Sequence, residues 1–122
     1  DTIIATEKFE TTRQNILFTS DIFNETCDLC DISYLSTKAK LIVGKNSGPF
    51  TYANTKQNLL DMNKVFVNFS HKPEDLLPYG LDIKADFRFS NTTFTSPAVR
   101  IIERAINDIK NTKQVSGYHI EK

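Results

Sequence analysis

The sequence has no excess of charge of either sign. Its 122 residues carry 15 basic and 15 acidic side chains, for a formal net charge of zero. A protein that grips a phosphate backbone usually shows a basic surplus, so this balance argues against a nucleic-acid partner. No apolar run approaches the roughly 20 residues that span a bilayer, and no transmembrane segment is expected. No repeat, low-complexity tract or linker divides the chain. At this length it suits one domain with one core. Hydrophobic residues at 39% and charged residues at 25% fit a globular protein rather than a disordered one. The start at Asp1 shows neither a signal-peptide pattern nor a Met, which suggests a piece of a longer protein or a processed one.

Cysteine and histidine are equally scarce. Cys27 and Cys30 form a lone C-x-x-C, and the two histidines, His71 and His119, lie far from it. Four zinc ligands cannot be assembled at any usual spacing, so no metal site is expected. Asp28 and Asp31 flank the pair and disfavour a thiolate, which points to two reduced, ordinary thiols. Three N-x-[ST] sequons begin at Asn24, Asn68 and Asn91. With ten asparagines in the chain, chance matches are expected, and the sequons are read as unglycosylated.

What is present is an alternation of short apolar runs with helical periods. Residues 2–6 (TIIAT), 15–19 (NILFT), 40–43 (KLIV) and 64–69 (KVFVNF) read as strands of one parallel sheet, and 85–90 (ADFRFS) reads as a strand near an edge. Residues 28–39 read as a helix with Leu29, Ile32, Leu35 and Ala39 on one face. Residues 49–60 read as a helix opened by Pro49. The clearest helix is 97–110, with Val99, Ile102, Ile106 and Ile109 inward and Ser96 as its cap. The predicted class is α/β: a three-layer, Rossmann-like domain over 1–110 with a mostly parallel sheet, then a frayed polar tail over 111–122.

The most informative segment is the turn between 40–43 and 49–60. Gly44 and Gly48 are read as positions of close approach or positive φ. Asn46 and Ser47 offer hydrogen bonds, Lys45 offers charge, and the following helix presents free N–H groups at the carboxyl edge of the sheet. Gly44, Lys45, Asn46, Ser47 and Gly48 thus form a candidate phosphate site. The turn matches neither the Walker A pattern nor the dinucleotide fingerprint.

The run 27–39 (CDLCDISYLSTKA), 40–49 (KLIVGKNSGP), 64–70 (KVFVNFS) and 77–80 (LPYG) resembles the C-terminal, nucleotide-sugar-binding domain of glycosyltransferases with the two-domain B fold, particularly heptosyltransferase-like enzymes. The likeness covers residues 21–80 and centres on Ser47-Gly48-Pro49. Asn46 stands where that family usually has Asp, and Thr51 stands where a His is common. A neutral Asn cannot act as a carboxylate, so the donor sugar is left open. The resemblance implies half of a B fold. Its partners would be a nucleotide diphosphate sugar and an N-terminal domain that holds the acceptor, with no further cofactor. The setting would be cytoplasmic or peripheral at the inner face of the membrane, and the isolated chain would be inactive. Thr51, His71, Glu74 and Asp75 are second-rank donor-site residues. No catalytic base is identified. Asp82 and Asp86 are read as solvated acids, Phe50 and Tyr52 as core residues, and Arg88 as facing away from Phe87 and Phe89. The alternatives are a non-catalytic α/β interaction module and a half-domain of a nucleotide-sugar epimerase.

Overall fold

The computed structural model describes residues 3–5, 9–19, 29–45, 48–70 and 82–121. The elements along the chain are β1 (Ile3–Ala5), β2 (Ile16–Phe18), α1 (Leu29–Ser36), β3 (Leu41–Lys45), α2 (Gly48–Ala53), α3 (Lys56–Leu59), β4 (Val65–Phe69), β5 (Asp86–Ser90), α4 (Thr95–Lys110) and β6 (Gly117–Ile120). The fold is α/β, with a four-stranded, all-parallel sheet in the order β3-β4-β5-β6 and helices on both faces. This is a three-layer, Rossmann-like arrangement.

Strand alternation divides the core in two. Phe66, Phe87 and Phe89 turn to one face, where Phe50, Ala53 and Leu59 of α2 and α3 cover them with Ile83 and Ala85. Phe66 and Phe87, partners across β4 and β5, stack at 4.7 Å with planes 4° apart. Phe50 meets each of them edge-on at 6.0 Å. Val65 and Val67 turn to the other face, where Ile101 and Ala105 of α4 cover them and Leu41, Phe69 and Ile109 pack alongside. The β3–β4 connection therefore crosses one face and the β5–β6 connection crosses the other. Both step the same way along the sheet, so the two crossovers have opposite hands. One is left-handed, against the strong right-handed preference of such units.

Several expectations change. The strands do not form one sheet: β1 and β2 pair in parallel but make a two-stranded sheet of their own. An apolar run specifies a strand but not the edge it joins. β5 is no edge strand; it lies between β4 and β6, and all five of its residues are buried. The segment 111–122 is not simply a tail, since Gly117–Ile120 pair with β5 as an edge strand. The helix expected over 49–60 is two helices, because Thr55 adopts an extended conformation and caps α3 by accepting from Asn58 N. Helix α4 starts at Thr95 with no side-chain cap, so Ser96 does not serve as one. Its inward residues are Ile101 and Ala105, while Val99 and Ile106 are exposed. Asp108 lies on the same helical face, at i, i+4, i+7 from Ile101, and its bond to Arg88 fixes that rotation.

Two polar knots sit within the packed layers. On the α4 face, Arg88 Nε and Nη2 donate to Asp86 at 3.1 and 2.9 Å, and Nη2 meets Asp108 at 2.8 Å. Asp86 also accepts from Val115 N at 3.0 Å, which ties down the approach to β6. Reading Asp86 as solvated is thus corrected: it is 1% exposed. The hydrogen bonds that Arg88 donates to Asp86 and to Asp108 hold it still more firmly protonated than usual. At the amino end of the sheet, Lys64 Nζ donates to Ser36 O at 2.7 Å and Asn58 Oδ1 at 2.8 Å. Asn58 Nδ2 donates in turn to Ser36 Oγ and Ala53 O.

Both knots make predictions. Arg88→Met leaves Asp86 buried without its cation, so the variant should lose about 3–5 kcal/mol of stability, measured by urea unfolding. Burial lowers the pKa of Lys64 below its ordinary 10.5, an effect partly opposed by Asp61. The folded state then holds this proton less firmly than the unfolded chain. Stability contributed by Lys64 rises as pH climbs through the window below 10.5. The difference in unfolding free energy between the protein and Lys64→Met should change in that sense as pH climbs toward 10.5. A flat difference would contradict the assignment.

Candidate functional site

The carboxyl ends of β3 and β4 lie side by side, with Gly44 opposite Asn68 and Lys45 opposite Phe69. β3 runs on through Gly44 and Lys45, so these two belong to the strand rather than to a turn. Helix α2 then begins at Gly48. Asn46 and Ser47, which lie between, fall outside the described residues, as do His71, Glu74 and Asp75. Thr51 sits on α2 with an exposed side chain, and Lys45 is exposed on the sheet. Of the candidate set, the structure thus describes Gly44, Lys45, Gly48 and Thr51.

Of the two reasons expected for Gly44, close approach holds and positive φ does not. Its φ is not in the left-handed region; among the described glycines only Gly117 has a positive φ. A Cβ on Gly44 would instead lie 2.9 Å from Cδ2 of Phe50. The missing side chain lets the Phe50 ring seat against β3 and reach the stacked rings of Phe66 and Phe87. Phe50 is accordingly a core residue, as read from the sequence, whereas Tyr52 beside it is exposed.

Asn68 is the residue that the functional reading passed over. It is 0% exposed, and among the described residues neither its Nδ2 nor its Oδ1 has a hydrogen-bond partner. An amide in that state costs about 1–3 kcal/mol. The sequence signal was an Asn within the otherwise apolar run VFVNF of β4. Its full burial also removes Asn68 as a glycan acceptor in the folded protein. Asn91 is exposed, and Asn24 lies outside the described residues.

Elsewhere, Asp82 is exposed and pairs with Lys84 at 2.7 Å. Arg88 does face away from Phe87 and Phe89, toward α4. His119 Nε2 lies 2.9 Å from Val115 O and 3.8 Å from Asp86 Oδ1, remote from the β3–β4 edge in register. Cys30 is in the first turn of α1, and Cys27 lies outside the described residues. Among the described residues no group of three or more His, Cys, Asp or Glu is placed to hold a metal ion. No helix among them is long and apolar enough to cross a membrane. The strand order β3-β4-β5-β6 contains no reversal.

Gly44→Ala tests the close approach directly. Its methyl group must push the Phe50 ring out of the aromatic cluster, and a loss of about 1–3 kcal/mol is expected in thermal or urea unfolding. Unchanged stability would mean that the ring yields freely.

Comparison with known protein families, with characterised proteins and with solved structures gives no match for this chain.

Proposed function

We propose that this chain is the nucleotide-sugar-binding domain of a glycosyltransferase acting in polysaccharide or glycoconjugate synthesis. The observation that carries the reading is the path of the chain at the end of β3. The strand finishes at Lys45 and helix α2 opens at Gly48, at the carboxyl edge of a parallel sheet. Free N–H groups of a first helical turn favour an anion there, and a diphosphate is the natural one. Asn46 and Ser47 are the intervening residues, and Ser47-Gly48-Pro49 is the core of the resemblance.

In this reading the domain holds the donor through its diphosphate. Positive groups near the leaving diphosphate would stabilise the charge that develops on it during transfer. Lys45 is the nearest cation in sequence. Deprotonating the acceptor hydroxyl needs a base, which in this reading comes from a second domain together with the acceptor site. The chain alone is therefore expected to bind donor without transferring sugar. The setting it implies is the cytoplasm or the inner membrane face. A second reading, a non-catalytic interaction module, draws on the exposed Tyr118 and Ile120 of edge strand β6.

Titration of the isotope-labelled protein with UDP, ADP or GDP separates the two. Under the donor-binding reading the amide signals of Asn46, Ser47 and Gly48 move, and Ser47→Ala weakens binding by about 1 kcal/mol, roughly fivefold. If no nucleoside diphosphate at millimolar concentration moves those amides, donor binding fails and the interaction reading takes its place.

A further inference from the structure

Asn68 is the next-to-last residue of β4, flanked across the sheet by Gly44 and Phe89. Its side chain shares the face of Phe66 and Phe89, at the ligand-side end of the strands. Among the described residues, three other large buried polar side chains are engaged: Asn58 with Ser36 and Ala53, Lys64 with Ser36 and Asn58, Arg88 with Asp86 and Asp108. Asn68 alone among these large side chains has both its donor and its acceptor unbonded. Buried amides in folded proteins are almost always satisfied, and an exception points to a group that the amide is built to meet.

We propose that the Asn68 carboxamide is a ligand-binding group. It donates from Nδ2 and accepts at Oδ1 toward a neutral moiety that presents an acceptor and a donor side by side. The edge of a nucleobase and the diol of a sugar both have that character. A phosphate offers only acceptors and would leave Oδ1 unbonded, so Asn68 is not a phosphate contact. The proposal rests on the donor-binding reading and refines it. The diphosphate belongs to the segment between β3 and α2, and the nucleoside or sugar belongs to Asn68. Full burial means that the ligand meets the amide only with a local rearrangement at this edge, which the side-chain NH2 signals of Asn68 report.

The test compares the protein with Asn68→Leu, which keeps the volume and removes both polar atoms, and with Asn68→Ser in case the first variant fails to fold. Each is titrated with UDP, ADP and GDP, with uridine, adenosine and guanosine, with glucose, and with inorganic pyrophosphate. The expected result is that a nucleoside diphosphate moves the Asn68 NH2 signals and binds the variants at least tenfold more weakly, while pyrophosphate binds all three alike. Response to nucleosides without glucose assigns the base edge, and response to glucose assigns the diol. Asn68 signals that respond to nucleosides or glucose in a protein indifferent to pyrophosphate would keep this proposal and sink the diphosphate site. Nucleotide affinity unchanged in both variants, with the wild-type Asn68 signals unmoved, overturns the proposal and leaves the donor-binding reading standing. No response to any of these compounds overturns both.

Discussion

Arg88 enters the interior as a permanent charge, and the α4 side of the fold is arranged around neutralising it. A guanidinium cannot shed its proton to become tolerable, so burial is viable only with carboxylates at hand. Asp86, two residues earlier on the same face of β5, supplies one, and Asp108 supplies another from α4. The second bond sets the rotation of the helix and turns Ile101 and Ala105 onto Val65 and Val67. Asp86 has acceptor capacity left over, and it takes the Val115 amide just before β6. One strand, one helix and one edge strand are thus registered by a single cluster.

The opposite face is organised by aromatic packing. Phe66, Phe87 and Phe89 stack in succession over the sheet, and the Phe50 ring closes edge-on against Phe66 and Phe87. That seat exists because position 44 has no side chain. Gly44 therefore links the core to the start of α2, which follows β3 after two residues. The packing that stabilises the layer also fixes where the candidate ligand edge begins. At the other end of the sheet, Lys64 and Asn58 gather the ends of α1, α2 and α3 into one hydrogen-bonded group. The two ends of this layer differ in kind: every polar atom named at the amino end is bonded, whereas Asn68 at the carboxyl end is not.

The parallel class, the strands β3 and β4, the clear helix α4 and the opposed directions of Arg88 and its phenylalanine neighbours could all be read from the sequence. These follow from local periodicity: runs of branched and aromatic residues favour strands, and alternation sends neighbours to opposite faces. Pro49 was legible as an opening residue of a helix, and it lies in the first turn of α2, where a proline fits. An Asn in the apolar run of β4 was visible in the sequence, but its bare amide was not, because an Asn in a strand has the same spelling whether its amide is bonded or bare.

What only the tertiary structure decided was partnership. A strand's neighbours depend on surfaces far away in sequence, so β5 could be placed at an edge by its polar residues and still belong in the middle. Its charges are buried because Asp108, twenty residues later, completes their pairing. The segment 111–122 looked like a tail because its composition is polar, yet β5 offers it an open edge and Gly117–Ile120 take it. Residues 2–6 and 15–19 announce strands, but nothing in them excludes a sheet of their own, and β1 and β2 form one. Local sequence thus determines which segments become strands and helices, through backbone sterics and apolar period. Long-range packing and the neutralisation of buried charge determine which of them meet.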